Sequence, residues 1–184
     1  MRVITGIAKG RRLCTVPGTN IVRPTSDKVK ESIFSAIQFD LEGRRVLDLF
    51  AGSGQLGIEA LSRGAQSAVF IDCSPASLDV VNRNLSLTGL CENAKVVKSD
   101  YSSYLLRTYD VFDIAFLDPP YNAGILIDAL EKTITHMSDF GTIFCEHPAD
   151  KSLPESVSDF SISRVYRFGS IMITMYKRDI QNDE

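Results

Sequence analysis

Apolar residues recur along this chain with two periods, and the two alternate. Val29, Ile33 and Ile37 fall every four residues on one face, which predicts a helix over 25–39. Residues 45–50, 67–72, 95–98, 111–117 and 142–146 are short apolar runs bounded by polar residues or glycine, and they predict strands. Between them, 55–63, 74–87, 102–108 and 125–136 predict helices. Ser74 suits an N-cap, Pro75 the first helical position, and Gly64 and Gly89 the positions just past a helix. Such alternation implies parallel strands joined by crossover helices. The two ends differ. Residues 2–5 and 11–16 predict a short β-hairpin turning at Ala8-Lys9-Gly10. Residues 161–167 and 171–177 predict a second hairpin turning at Phe168-Gly169-Ser170, which sets an antiparallel strand at the sheet edge. The expected fold is α/β. It is a Rossmann-like, doubly wound, seven-stranded and mostly parallel sheet with an antiparallel C-terminal hairpin strand. The expected division is an N-terminal β-hairpin extension over 1–24, a core domain over 25–178 and a polar tail over 179–184.

Composition changes this picture little. A chain of 184 residues, 44% hydrophobic and 23% charged, matches one soluble domain with a large core. No apolar run is long enough to cross a membrane and no signal-peptide pattern opens the chain, so a cytoplasmic protein without a membrane partner is expected. Cys14, Cys73, Cys91 and Cys145 are scattered, and His136 and His147 stand alone, so neither a disulfide framework nor a metal site is expected. Charge is more informative. Residues 1–45 hold nine Lys/Arg against four acids, a local +5 on a chain of net charge −3. A basic segment on an acidic protein reads either as a footprint for a phosphate backbone or as a solvated face.

The segment Gly52-Ser53-Gly54-Gln55-Leu56-Gly57 fits G-x-G-x-x-G after a strand and before a helix, and Asp72 ends the next strand. Glycines let backbone approach a ligand, and the acid can accept from ribose hydroxyls. This fits a dinucleotide as well. Asp48, inside the strand end, tilts the reading to S-adenosylmethionine. Its carboxylate suits an ammonium and a sulfonium and would repel a pyrophosphate. Asp100 can take an adenine amine with Tyr101 beside the ring, or simply cap a helix. Phe50, Ala51, Ser53 and Cys73 complete the candidate cofactor contacts.

A second strand end, Asp118-Pro119-Pro120-Tyr121, follows the apolar run 111–117. The first and fourth strands of a doubly wound sheet are neighbours at the switch point, which brings Asp118 beside the glycine loop. The Asp118 carboxylate and Pro119 carbonyl can each accept one hydrogen of an exocyclic amine. Pro120 stiffens the turn, and Tyr121 can stack on a base. The blander reading is a strand-ending turn.

These motifs together resemble the bacterial small-subunit (16S) rRNA guanine-N2 methyltransferase family, within the class I S-adenosylmethionine-dependent methyltransferases. The resemblance runs from residue 2 to about 177. It rests on Arg23-Pro24-Thr25 with Asp27, Val29, Lys30, Glu31, Ile33 and Phe34, then Asp48 to Gly57, Glu59-Ala60-Leu61, Arg63-Gly64-Ala65, Asp72, Asn84, Phe116 to Tyr121 and Glu146. It implies methyl transfer to the N2 of a 16S rRNA guanine, with the cofactor at Asp48, Gly52, Gly54, Asp72 and Asp100 and the base near Asp118 to Tyr121. It implies RNA contacts from the basic hairpin (Lys9, Arg11, Arg12) and from Arg23 and Thr25. The substrate expected is a partly assembled small ribosomal subunit, and the enzyme is expected to be a monomer. Adenine-N6 methylation of DNA or RNA, an NAD-dependent oxidoreductase and an inactive RNA-binding assembly factor are the competing readings.

Overall fold

The computed structural model describes residues 1–16, 27–120 and 124–179. Helices and strands alternate through its centre. They are α1 (Asp27–Ala36), β1 (Arg45–Asp48), α2 (Gln55–Ser62), β2 (Ser67–Asp72), α3 (Pro75–Thr88), β3 (Ala94–Lys98), α4 (Tyr101–Arg107), β4 (Phe112–Leu117), α5 (Ile125–Ile134) and β5 (Met137–Pro148). The chain closes with β6 (Ser156–Val157), β7 (Phe160–Phe168) and β8 (Ile171–Arg178). The order across the sheet is β3-β2-β1-β4-β5-β8-β7-β6. The first five strands run parallel, and β8, β7 and β6 are antiparallel to their neighbours.

The Rossmann-like, mostly parallel sheet is thus as expected, with one correction of number. Among the described residues it has eight strands, not seven. The extra strand, β6, is two residues long and pairs Val157 with Phe160. Two residues carry no period, so no sequence pattern announces it. β5 is also longer than its apolar core, because Met137 pairs with Phe112 ahead of an irregularity in the ladder.

Alternation along the strands sorts the core into two layers. Val46, Phe70, Ile114, Phe116 and Phe144 face one cluster with α1, α2 and α3. Leu47, Ile71, Ala115, Leu117 and Cys145 face the other with α4 and α5. Helix α2 packs tightly on β2 at Gly57. A Cβ there would lie 2.3 Å from the Phe70 ring.

The N-terminal hairpin is present, with short pairing. Its limbs exchange backbone bonds (Val3 N–H to Arg11, Gly10 N–H to Val3, Leu13 N–H to Met1), but only Arg2 and Arg12 form a β-bridge. The reason is a competing set of acceptors. Ile4 and Thr5 donate their N–H groups to the Glu59 carboxylate, and Ala8 donates to Ser62 Oγ. Val3, Ala8 and Leu13 are buried in the α1–α3 layer. Residues 1–16 therefore form an arm fastened to α2, not a free ribbon.

Replacing Gly57 by Ala should force Phe70 off its position and destabilise the fold by about 1–3 kcal/mol. Chemical denaturation of the two proteins measures this, and an unchanged midpoint would contradict the tight contact.

Candidate functional site

Three parallel strands end at one crevice. Asp48 of β1 pairs in register with Phe70 of β2 and Phe116 of β4. Asp72 and Asp118 each lie two residues past those partners, so three carboxylates converge at the strand ends. They line a cavity of about 510 Å³ together with the glycine turn, Asp100 and Pro119-Pro120. Ligands of open α/β sheets bind at this kind of switch point.

On the first side of the cavity, Gly54 takes a left-handed conformation at the N-cap of α2 (φ 76°), and a Cβ there would press on Val81. The turn is oriented by Asp72, whose two oxygens accept from Gly52 N–H (2.9 Å) and Ser74 N–H (2.8 Å). Each oxygen keeps acceptor capacity for a diol. Asp48 is buried and accepts from Gly57 N–H at 3.0 Å. Burial, aided by the negative charge of Asp72 and opposed by the Gly57 hydrogen bond, pushes its carboxyl up to about 7. A cation placed beside Asp48 would reverse that shift.

The far wall is aromatic. The Phe50 and Tyr101 rings lie 5.5 Å apart, and Tyr101 Oη donates to Asp128 at 2.8 Å. Asp100 caps α4, accepting from Ser103 N–H at 2.9 Å, and hydrogen bonds from the Ser103 side chain and backbone hold its carboxyl below the usual range. Its capping role is therefore realised, while it also borders the cavity.

The expected residues Asp48, Phe50, Ala51, Gly52, Ser53, Asp72, Cys73, Asp100, Tyr101, Asp118, Pro119 and Pro120 all border this cavity. Gly54 does not, and its part is to shape the turn. Lys9, Arg11 and Arg12 are exposed on the arm and do not reach the cavity wall. Tyr121, Arg23 and Thr25 lie outside the described residues. Among the described residues no cluster of His, Cys, Asp and Glu could hold a metal ion, and no helix is long and apolar enough to cross a membrane.

Residues 1–177 match the model of the family described as Conserved hypothetical protein 95. The chain belongs to that family. A Bacillus subtilis protein provisionally named rRNA methyltransferase YlbH is 41% identical over 97% of this chain and 99% of its own length. The Ribosomal RNA small subunit methyltransferase D of Escherichia coli is 34% identical over 100% of this chain and 92% of its own length. A solved structure from Escherichia coli, yhhF, with a provisional methyltransferase name, superposes with a TM-score of 0.88 at 33% identity. It covers 98% of this chain and 99% of the other.

Sequence reasoning missed several walls of the cavity in this member of the Conserved hypothetical protein 95 family. Met1, Thr15 and Val16 border it from the arm, and Ile125 borders it from the start of α5. No local pattern marks them, because they reach the site only through the docking of the arm and of α5.

Asp48 gives the ligand-free protein a pH signature. Its folded carboxyl titrates near 7 against 3.8 when unfolded. Between those values the folded state holds the extra proton. Its stability contribution is therefore fully present below about pH 4 and lost as pH rises through about 7. Asp48→Asn should remove this component. Urea titrations of both proteins across pH 4–8 check it; identical pH slopes would be the contrary result.

Proposed function

We propose that this protein methylates the exocyclic N2 amine of a guanine in 16S rRNA, with S-adenosylmethionine as methyl donor. One observation carries the reading: the glycine turn with Asp48 and Asp72 and the Asp118-Pro119-Pro120 turn border the same cavity. The donor set suits that ligand. Asp48, strained towards its neutral form when alone, offers a buried carboxylate to a cationic centre, and Asp72 offers acceptors to a ribose. When bound, S-adenosylmethionine supplies an electrophilic methyl carbon on a positively charged sulfur.

This chain's own residues deal with the nitrogen. An exocyclic amine is a poor nucleophile because its lone pair is delocalised into the ring. Asp118 carboxylate and Pro119 carbonyl accept its two hydrogens and hold the lone pair towards the first half of the cavity. Positive charge grows on nitrogen as the new N–C bond forms and the methyl–sulfur bond breaks, with S-adenosylhomocysteine as the leaving group, so both acceptors bind more strongly in the transition state than in the ground state. The ammonium product is acidic and releases one proton to solvent, so no strong base is required.

The RNA assignment rests on three supports. The family relative from Escherichia coli is named a small-subunit rRNA methyltransferase. The sequence motifs resemble the guanine-N2 group. The exposed Lys9, Arg11 and Arg12 sit on the arm whose last described residues border the cavity. In this reading the partner is the small ribosomal subunit during assembly, and the protein works in the cytoplasm.

Incubation with partly assembled small-subunit particles and labelled donor, followed by nucleoside analysis of the 16S rRNA, should yield N2-methylguanosine; N6-methyladenosine or an unmodified product would overturn the proposal. Asp118→Ala should lower kcat by about 10²–10³-fold or more with little change in donor affinity by calorimetry. An Asp118→Ala enzyme of undiminished turnover would remove the role given to that carboxylate.

A further inference from the structure

The arm and the glycine turn are joined by one side chain. Asn84 lies in α3 and is completely buried. Its Oδ1 accepts from Cys14 N–H at 2.7 Å, and its Nδ2 donates to Cys14 O at 3.1 Å and to Ser53 O at 2.9 Å. The amide pairs with Cys14 as a strand neighbour would, and its remaining hydrogen goes to the glycine turn. Both Nδ2 hydrogens are used, and a flipped amide would set carbonyl against carbonyl, so the partners themselves fix its orientation.

Position gives this bond set its consequence. Ser53 belongs to the turn that borders the cavity, and Thr15 and Val16, directly after Cys14, border the same cavity. The other fasteners of the arm lead elsewhere. Glu59 and Ser62 of α2 hold residues 4–8, and Lys30 Nζ of α1 donates to Arg2 O at 2.6 Å. The Ser53 Oγ–Met1 Sδ contact, at 3.8 Å, is weak beside the Asn84 bonds that tie the arm to the turn.

We propose that Asn84 is a positioning residue that couples the two substrates. It holds Cys14 against Ser53, so that ordering the glycine turn around the methyl donor also orders the end of the arm, residues 14–16, at the cavity that receives the RNA base. This deepens the function proposed above and rests on it. Coupling is reciprocal: a donor that tightens RNA binding must itself be bound more tightly when RNA is present. A loss of ordering freedom shared between two ligands produces that behaviour without a large change of shape.

The test measures RNA affinity with and without saturating S-adenosylhomocysteine, using a small-subunit rRNA fragment that the enzyme methylates. In the wild-type protein the product analogue should tighten RNA binding by about fivefold or more. In Asn84→Ala the gain should fall to about onefold, while ligand-free RNA affinity stays near wild type because Glu59 and Ser62 still hold the basic residues. Asn84→Gln, which keeps the amide but displaces it, should behave like Asn84→Ala. A merely structural role would lower the melting temperature and leave the coupling factor intact; that result overturns the proposal. Should both variants fail to fold, amide exchange in the wild-type protein still decides. S-adenosylhomocysteine should slow exchange at Cys14 to Val16, and unchanged exchange there overturns the proposal. Methylation of RNA by the wild-type enzyme without any coupling sinks this inference alone; failure of the analogue to bind at all sinks the functional reading with it.

Discussion

Everything in the site depends on the parallel pairing of β1 with β4. The two strands are separated by more than sixty residues, yet Val46, Leu47 and Asp48 sit in register with Ile114, Ala115 and Phe116. A fork at the opposite end from the cavity holds the pair. Arg45 donates its backbone N–H (2.9 Å), Nε (3.1 Å) and Nη2 (3.0 Å) to Asp113. Burial would raise the Asp113 carboxyl, but these bonds outweigh it and hold it down at about 2. With register set at one end, Leu49 donates its N–H to Phe116 O at the other, and the two strand-end motifs emerge side by side. A slip of β1 by one residue would turn Asp48 to the opposite face.

A second constraint is the burial of charge beneath the arm. Glu59 is fully buried and accepts from Ile4 N–H, Thr5 N–H and Arg63 Nε. Lys30, also fully buried, lies 3.7 Å away and donates to Arg2 O. Burial draws the Lys30 ammonium down, with Glu59 opposing. Buried ions are tolerated when their donors and acceptors are satisfied, and removing one partner is costly. Here the partners are backbone groups of the arm, so the same bonds that satisfy the charges fix where Lys9, Arg11 and Arg12 are presented.

Much of this was legible before any coordinates. Ser74, Pro75 and Gly89 marked α3 because capping, proline at N1 and left-handed glycine are local chemistry, and all three take those positions. The strand–helix alternation gave the parallel sheet for the same reason, since periods of 2 and 3.6 are written residue by residue. The motifs at 48–57, 72, 100 and 118–120 were readable because each sits where a strand ends. Asn84 and Glu59 entered only as parts of a resemblance. A buried Asn or Glu on a helix looks in sequence like any polar residue on a solvated face.

The sequence by itself determined which segments of the central alternation are strands and helices, which turns need glycine, and which carboxylates stand at strand ends. Those properties follow from bonds between near neighbours. Only the tertiary structure decided that Cys14 rests on Asn84, that Val16 borders the same cavity as Asp118, and that Asp48 is buried deeply enough to resist ionisation. Each depends on packing between residues far apart in the chain, and desolvation, which sets the acidity of Asp48, exists only once that packing has excluded water.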